Sequence, residues 1–258
     1  MRRLGLLGLT AIGAACGLPS PDPTPTPVTP ISQTASPSEI DSLWDVAGRK
    51  FRQGKWTDVS ATLERLVLEF PPGDARFARA RLYLGNSYLA SKSHLQAVRE
   101  FRKLSDERPG DPLAPLGLLR AGDAYAELWR RPELDPSYGQ TALATYQELL
   151  NRYPESDAAT RARGKIAALE EKFAIKQYKA ALYYFRFKAY DSAILYLKDL
   201  VATYPRTTSA PDALKLLVDA YTRLGYEEDV TETCGYLRRF HPNASQTSRA
   251  CPAEPADS

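Results

Sequence analysis

The chain is poor in the residues that usually carry chemistry. Its 258 residues include only two histidines and three cysteines. Neither His94 nor His241 has a carboxylate or cysteine at a ligand spacing, so no metal site is expected. There is no Gly-rich phosphate loop and no Gly-x-Ser-x-Gly elbow. The acidic pairs Glu170-Glu171 and Glu227-Glu228 sit where a solvated helix face is expected, not where two carboxylates would share a proton. An enzyme therefore finds no residues here to carry it, and no cofactor is implied. An excess of one charge is also missing. The 34 basic and 31 acidic residues leave a net charge of +3, without the clustered basic face that nucleic-acid binding needs. The apolar run from Leu4 to Ile12 is too short to span a bilayer.

What is present begins with an export pattern over residues 1–15. Met1-Arg2-Arg3 is a basic start, the apolar run follows, and Gly13-Ala14-Ala15 is a small-residue cleavage site. Cys16 comes next, which resembles a bacterial lipoprotein signal, although Gly13 stands where such signals usually carry Leu. Cys16 is thus the expected lipidation site, with plain secretion as the alternative. Residues 16–38 read as the lipidated Cys and a Pro-rich tether, with Pro19, Pro21, Pro23, Pro25, Pro27, Pro30 and Pro37 among Ser and Thr. Such a segment has too little apolar surface to fold. At about 3.1 Å per residue in the polyproline form it would hold a body several nanometres off a membrane. Gly17, where an Asp would mark retention at the inner membrane, points to the outer membrane. Cys234 and Cys251 remain as an even pair in an oxidising compartment. They form a disulfide, or else Cys234 is a buried thiol and Cys251 lies free in a frayed tail.

The most informative pattern is a recurring word. Leu66-x-x-x-Phe70-Pro71, Leu104-x-x-x-Arg108-Pro109, Leu149-x-x-x-Tyr153-Pro154, Leu200-x-x-x-Tyr204-Pro205 and Leu237-x-x-x-His241-Pro242 lie at intervals of 38, 45, 51 and 37 residues. That period predicts an all-α fold, a superhelical solenoid of five tetratricopeptide-like helical hairpins. A tetratricopeptide period of about 34 residues, measured back from each proline, places small residues at Gly85, Gly122 and Ala181 and tyrosines at Tyr88, Tyr125 and Tyr184. The expected repeats are 39–72, 75–110, 112–154, 156–205 and 208–242, within a domain of residues 39–242, before a disordered tail of residues 243–258. The third repeat carries an insertion of eight residues within Trp129 to Ser137. The fourth opens without a turn signal after Ser156, predicting one helix from about Ser156 to Phe187, capped by Ser156 or Asp157.

A stack of hairpins presents its first helices to a concave surface. In repeats 1 and 2 the candidate groove residues are Trp44, Phe51, Arg52, Arg79, Leu82, Asn86 and Leu89, which are apolar with arginines at the rim. They suit an extended apolar peptide; equally, Trp44, Phe51, Leu82 and Leu89 could pack on one another as core. In repeat 5 the matching positions are polar, and Lys215, Asp219 and Arg223 form a candidate face for docking a folded partner.

The same residues carry a family resemblance. Gln140-Thr141-Ala142-Leu143, the run Leu149-Leu150-Asn151-Arg152-Tyr153-Pro154-Glu155-Ser156, Tyr183-Tyr184 with Tyr190-Asp191-Ser192-Ala193, and Asp212-Ala213-Leu214 with Ala220-Tyr221 and Leu224-Gly225 resemble the BamD family. These are lipoproteins of the outer-membrane β-barrel assembly machine. The likeness runs from about Ser42 to Pro242 and includes the insertion and the long fourth-repeat helix. It implies a non-enzymatic scaffold on the periplasmic face of the outer membrane, held by a lipid anchor. It also implies that the N-terminal repeats receive targeting segments of unfolded outer membrane proteins, which end in aromatics. The C-terminal repeats would dock the POTRA domains of the barrel-forming subunit, alongside accessory lipoproteins. Two departures stand out. Tyr196 occupies a position where the family often has a basic partner-contacting residue, and the Cys234/Cys251 pair lies outside the family's general pattern. A periplasmic tetratricopeptide coordinator of a Tol–Pal or cell-wall complex is the alternative.

Overall fold

The computed structural model describes residues 35–251; the expected leader, Cys16 and nearly all of the tether lie outside them. Ten helices form five consecutive hairpins. They are α1 (Pro37–Arg52) with α2 (Trp56–Glu69), α3 (Phe77–Ala90) with α4 (His94–Glu107), α5 (Ala114–Leu128) with α6 (Ser137–Arg152), α7 (Asp157–Arg186) with α8 (Tyr190–Thr203), and α9 (Ala210–Leu224) with α10 (Glu227–Phe240). This is the all-α solenoid expected from the proline intervals. No helix among the described residues is long and apolar enough to cross a membrane.

The recurring word is a helix stop. The amide N–H groups of Phe70, Tyr153, Tyr204 and His241 donate to the carbonyls of Leu66, Leu149, Leu200 and Leu237 at 3.1, 2.9, 2.7 and 2.8 Å. These are the last i→i−4 bonds of their helices. The proline that follows has no N–H to donate and disfavours helical geometry in the residue before it, so the chain turns. The leucine of each word is fully buried, which ties the stop to the core. Starts are marked as clearly. Ser36 and Glu39 form a reciprocal capping box with Pro37 in the first turn. The first helix therefore starts at Pro37, two residues inside the expected tether. Ser156 caps α7, accepting from the Ala159 N–H at 3.1 Å, and α7 runs 30 residues as a single helix.

The small positions of the repeat are close approaches between helices. A Cβ on Gly85 would run into the ring of Phe101, and one on Gly122 into the ring of Tyr146. Phe101 and Tyr146 are fully buried second-helix residues, so each glycine makes room for the aromatic of its own hairpin. Burying such side chains stabilises by about 1.5–3 kcal/mol each before entropy is counted.

Two irregularities shape the middle of the stack. Residues 129–136 form the inserted loop between α5 and α6. It is held along α7: Trp129 is buried against Phe173 with ring centroids 4.5 Å apart, Lys172 donates to the Trp129 carbonyl, Lys176 donates to the Leu134 carbonyl at 3.0 Å, and Lys179 pairs with Glu133. Burial lowers the pKa of Lys172, whose ammonium also lies 4.6 Å from the Trp129 ring centre.

The C-terminal expectation needs correction. Residues 243–251 are not a disordered tail. They carry α11 (Ser245–Ala250), and Cys251 is joined to Cys234 of α10 with Cα atoms 5.6 Å apart. Among the described residues of this segment, 243–251, α11 and the disulfide replace the expected tail.

Candidate functional site

The first helices α1, α3, α5 and α7 line a row of recesses. The first, about 310 Å³, is bounded by Trp44, Asp45, Gly48, Arg49 and Arg52 of α1 and by Arg79 and Tyr83 of α3. The second, about 390 Å³, lies between Phe51 of α1, Asn86, Leu89 and Ala90 of α3, Lys92, and Arg120 and Glu127 of α5. The third, also about 390 Å³, shares Arg120 and Glu127 and adds Asp123, Tyr146, Lys165, Leu169 and Lys172.

Six of the seven candidate groove residues border the first two recesses. Leu82 does not: it is 8% exposed and belongs to the core. Helical phase alone does not separate it from Leu89, which lies seven residues on and within about 20° of the same line of α3; Leu82 is buried in the core, whereas Leu89 is only partly buried and borders the second recess. The residue missed was Tyr83. It stacks on Trp44 with centroids 5.9 Å apart and on Phe51 at 4.7 Å, so the three rings make one half-buried floor. Trp44 also meets Phe70 edge-on at 6.3 Å, and Phe51 meets Trp56 at 5.3 Å. The two alternatives for the aromatics thus merge, because they pack on one another and still line the recesses.

The electrostatics of the rim differ from those of the fold below it. Among the described residues, Arg49, Arg52 and Arg79 form no ion pair, although Arg49 and Arg52 sit in the last turn of α1, where a cation is favourable. Deeper arginines are paired with carboxylates, although the buried Nε of Arg81 has no hydrogen-bond partner among the described residues. Arg81 meets Glu100 at 2.6 Å and Glu107 at 3.0 Å, and lies over the ring of Phe77 at 4.8 Å. Arg76 clamps Asp74 and reaches Asp41 at 2.6 Å; that guanidinium holds the Asp74 carboxyl below the usual carboxylate range. In the third recess Asp123 accepts from the Tyr146 hydroxyl at 2.8 Å and pairs with Lys165 at 3.1 Å. Burial first, then the Asp123 charge, pushes the Tyr146 hydroxyl up, so it stays a donor.

His94 does find a carboxylate, but across the fold. Its Nε2 lies 3.1 Å from Glu127, 33 residues away, and its Nδ1 lies 2.8 Å from the Lys92 carbonyl. Among the described residues no group of His, Cys, Asp and Glu could hold a metal ion.

At the other end, Lys215 and Asp219 face one another at 2.7 Å, so the candidate docking residues largely satisfy themselves; Arg223 is exposed. Burial, then the charges of Asp212 and Asp219, raise the pKa of Tyr178 beside them. The bare apolar surface in this half lies elsewhere. Tyr183 and Phe187 at the end of α7 are 58% and 70% exposed with rings 4.7 Å apart, Tyr184 stacks on Tyr196 of α8 at 5.3 Å, and Leu195 is 70% exposed.

A family profile described as "YfiO: Outer membrane lipoprotein" matches residues 38–235. The chain is 28% identical over 243 residues to the outer membrane protein assembly factor BamD of Vibrio cholerae, a match covering 90% of this chain and 96% of that protein. It is 27% identical over 201 residues to BamD of Xylella fastidiosa, covering 72% of this chain and 67% of the relative. Against BamD of Caulobacter vibrioides it is 23% identical over 190 residues, and there the match spans 62% of the relative's length.

Proposed function

The chain belongs to the YfiO family of outer membrane lipoproteins, and from that premise we propose that it is a non-enzymatic scaffold for outer membrane protein assembly. Its N-terminal repeats receive extended targeting segments of unfolded outer membrane proteins in the recesses along α1, α3 and α5. The observation that supports this is the ring floor Trp44–Tyr83–Phe51 beneath Arg49, Arg52 and Arg79, guanidinium groups without ion partners among the described residues. Rings offer large rigid contact area at little entropic cost, and unpaired arginines can take a carboxylate or backbone carbonyl of a bound chain. The C-terminal repeats dock the POTRA domains of the barrel-forming subunit. The exposed Tyr183–Phe187 cluster and Arg223 are the surfaces offered for this contact. A lipid on Cys16 holds the scaffold at the periplasmic face of the outer membrane.

Fluorescence anisotropy with a labelled peptide from the last strand of a barrel protein tests the groove. The double variant Arg52→Gln/Arg79→Gln is expected to bind about tenfold more weakly while losing no more than about 1 kcal/mol of stability, because neither side chain forms an ion pair among the described residues and Arg52 contributes only its charge at the end of α1. Unchanged binding would remove the groove from the account. Affinity purification from detergent-solubilised membranes tests the complex. Recovery of a POTRA-containing barrel supports the proposal, and recovery of Tol or Pal proteins overturns it.

A further inference from the structure

The last described residues, 245–251, are unlike the rest of the chain. α11 touches both helices of the hairpin before it, as α5, α7 and α9 each do, so it stands where the first helix of a sixth hairpin would begin. It covers an apolar end made by Leu214, Val218, Cys234 and Leu237. Its own sequence, Ser245-Gln-Thr-Ser-Arg-Ala250, is polar, so it closes the stack instead of offering another surface to stack on. Six residues make less than two turns, too few to stay helical by themselves. Two side-chain bonds hold it: Gln246 donates to Asp212 at 2.7 Å and Thr247 to the His241 carbonyl at 2.7 Å. The third tie is covalent, Cys251 to Cys234, across a sequence separation of 17.

We propose that this bond is an oxidation-dependent latch, and that the C-terminal end of the solenoid is completed only after the chain has met a disulfide oxidant. One of the two thiolates attacks an external disulfide, giving a mixed disulfide. The second thiolate displaces the external thiol, and two electrons and two protons leave on the oxidant as its dithiol. Once formed, the bond lies under the cap, with Cys234 and Cys251 3% and 8% exposed, so a reductant reaches it only when α11 opens. In the reduced chain the cap opens and the apolar end becomes accessible. Asp212 then loses its partner Gln246 on the face that carries Lys215 and Asp219.

Hydrogen exchange on the mature full-length protein tests the latch, comparing the oxidised chain with Cys234→Ser/Cys251→Ser. Amides of 245–251 are expected to exchange at least about tenfold faster in the double variant, with α1 to α8 unchanged. Binding of a hydrophobic dye should rise in parallel. Protection of 245–251 at the oxidised level would show that packing alone holds the cap and would overturn the proposal. Equal loss of protection throughout α9 and α10 would overturn it too, because the bond would then be a staple for the whole hairpin. An oxidised Gln246→Ala chain should keep its protection, since the covalent tie remains.

Discussion

The two ends of this solenoid are built on the same hairpin but finished in opposite ways. At the N-terminal end, Trp44, Tyr83 and Phe51 are stacked yet only half-buried, and Arg49, Arg52 and Arg79 are left without ion partners among the described residues. At the C-terminal end, Lys215 satisfies Asp219, Gln246 satisfies Asp212, and α11 with its disulfide covers Leu214, Val218 and Leu237. One end keeps interaction capacity in reserve along α1 and α3, while at the other the polar pairs of α9 and α11 are satisfied internally and the apolar end is covered, with Arg223 left exposed. The difference teaches that repeat chemistry fixes the stacking, whereas the residues facing away from the hairpin axis decide what each end can bind.

The largest expected effect breaks the sealed end. Leu237 is fully buried in α10, and Leu237→Ala should cost about 3 kcal/mol through lost contacts and an unfilled cavity. Denaturant unfolding measures the loss, and peptide binding at the first two repeats should stay within twofold or so, as expected for a solenoid with nearest-neighbour coupling. Next is the open end. Tyr83→Ala removes the ring between Trp44 and Phe51 and should weaken binding of a targeting peptide by about 2 kcal/mol, read by titration calorimetry.

A smaller effect sharpens the electrostatic side. Asp74 is held below the usual carboxylate range by Arg76, so its contribution is present above pH of about 4 and is lost as pH falls through the lower folded value. Asp74→Asn should cost about 1 kcal/mol at neutral pH, given the partial exposure of Arg76. Below pH of about 4 the gap between the two proteins should narrow, measured by urea midpoints along a pH series. The smallest effect is at the self-satisfied pair. Lys215→Gln should change stability by only about 0.4 kcal/mol, since Lys215 and Asp219 form a half-exposed i,i+4 pair.

Much of the fold was legible in the chain because its punctuation is local. Four of the five words, those with Phe70, Tyr153, Tyr204 and His241 before the proline, encode their own final hydrogen bond and stop, and unequal proline intervals located both the inserted loop and the 30-residue α7. The groove was legible only in part. Arg79, Asn86 and Leu89 border the recesses, but Leu82 does not; it shares a line of α3 with Leu89, and only the packing of the neighbouring helices decides which of the two is covered. Tyr83 could have been found from its i+4 spacing after Arg79. The meeting of His94 with Glu127 depends on how α5 packs on α4, which no sequence period encodes. α11 was hidden for a different reason. It lies past the last proline word, is short and polar, and is held by a disulfide, a long-range bond from Gln246 to Asp212 and a local bond from Thr247 to the His241 carbonyl.

Unfolded barrel clients are expected at the open N-terminal recesses and not at the covered C-terminal face. Site-specific photo-crosslinking decides it most directly, with a benzophenone amino acid placed at Arg79 or at Lys215 and an unfolded outer membrane protein as client. Client adducts are expected from position 79 and none above background from position 215. Adducts from position 215, with none from position 79, would contradict that expectation.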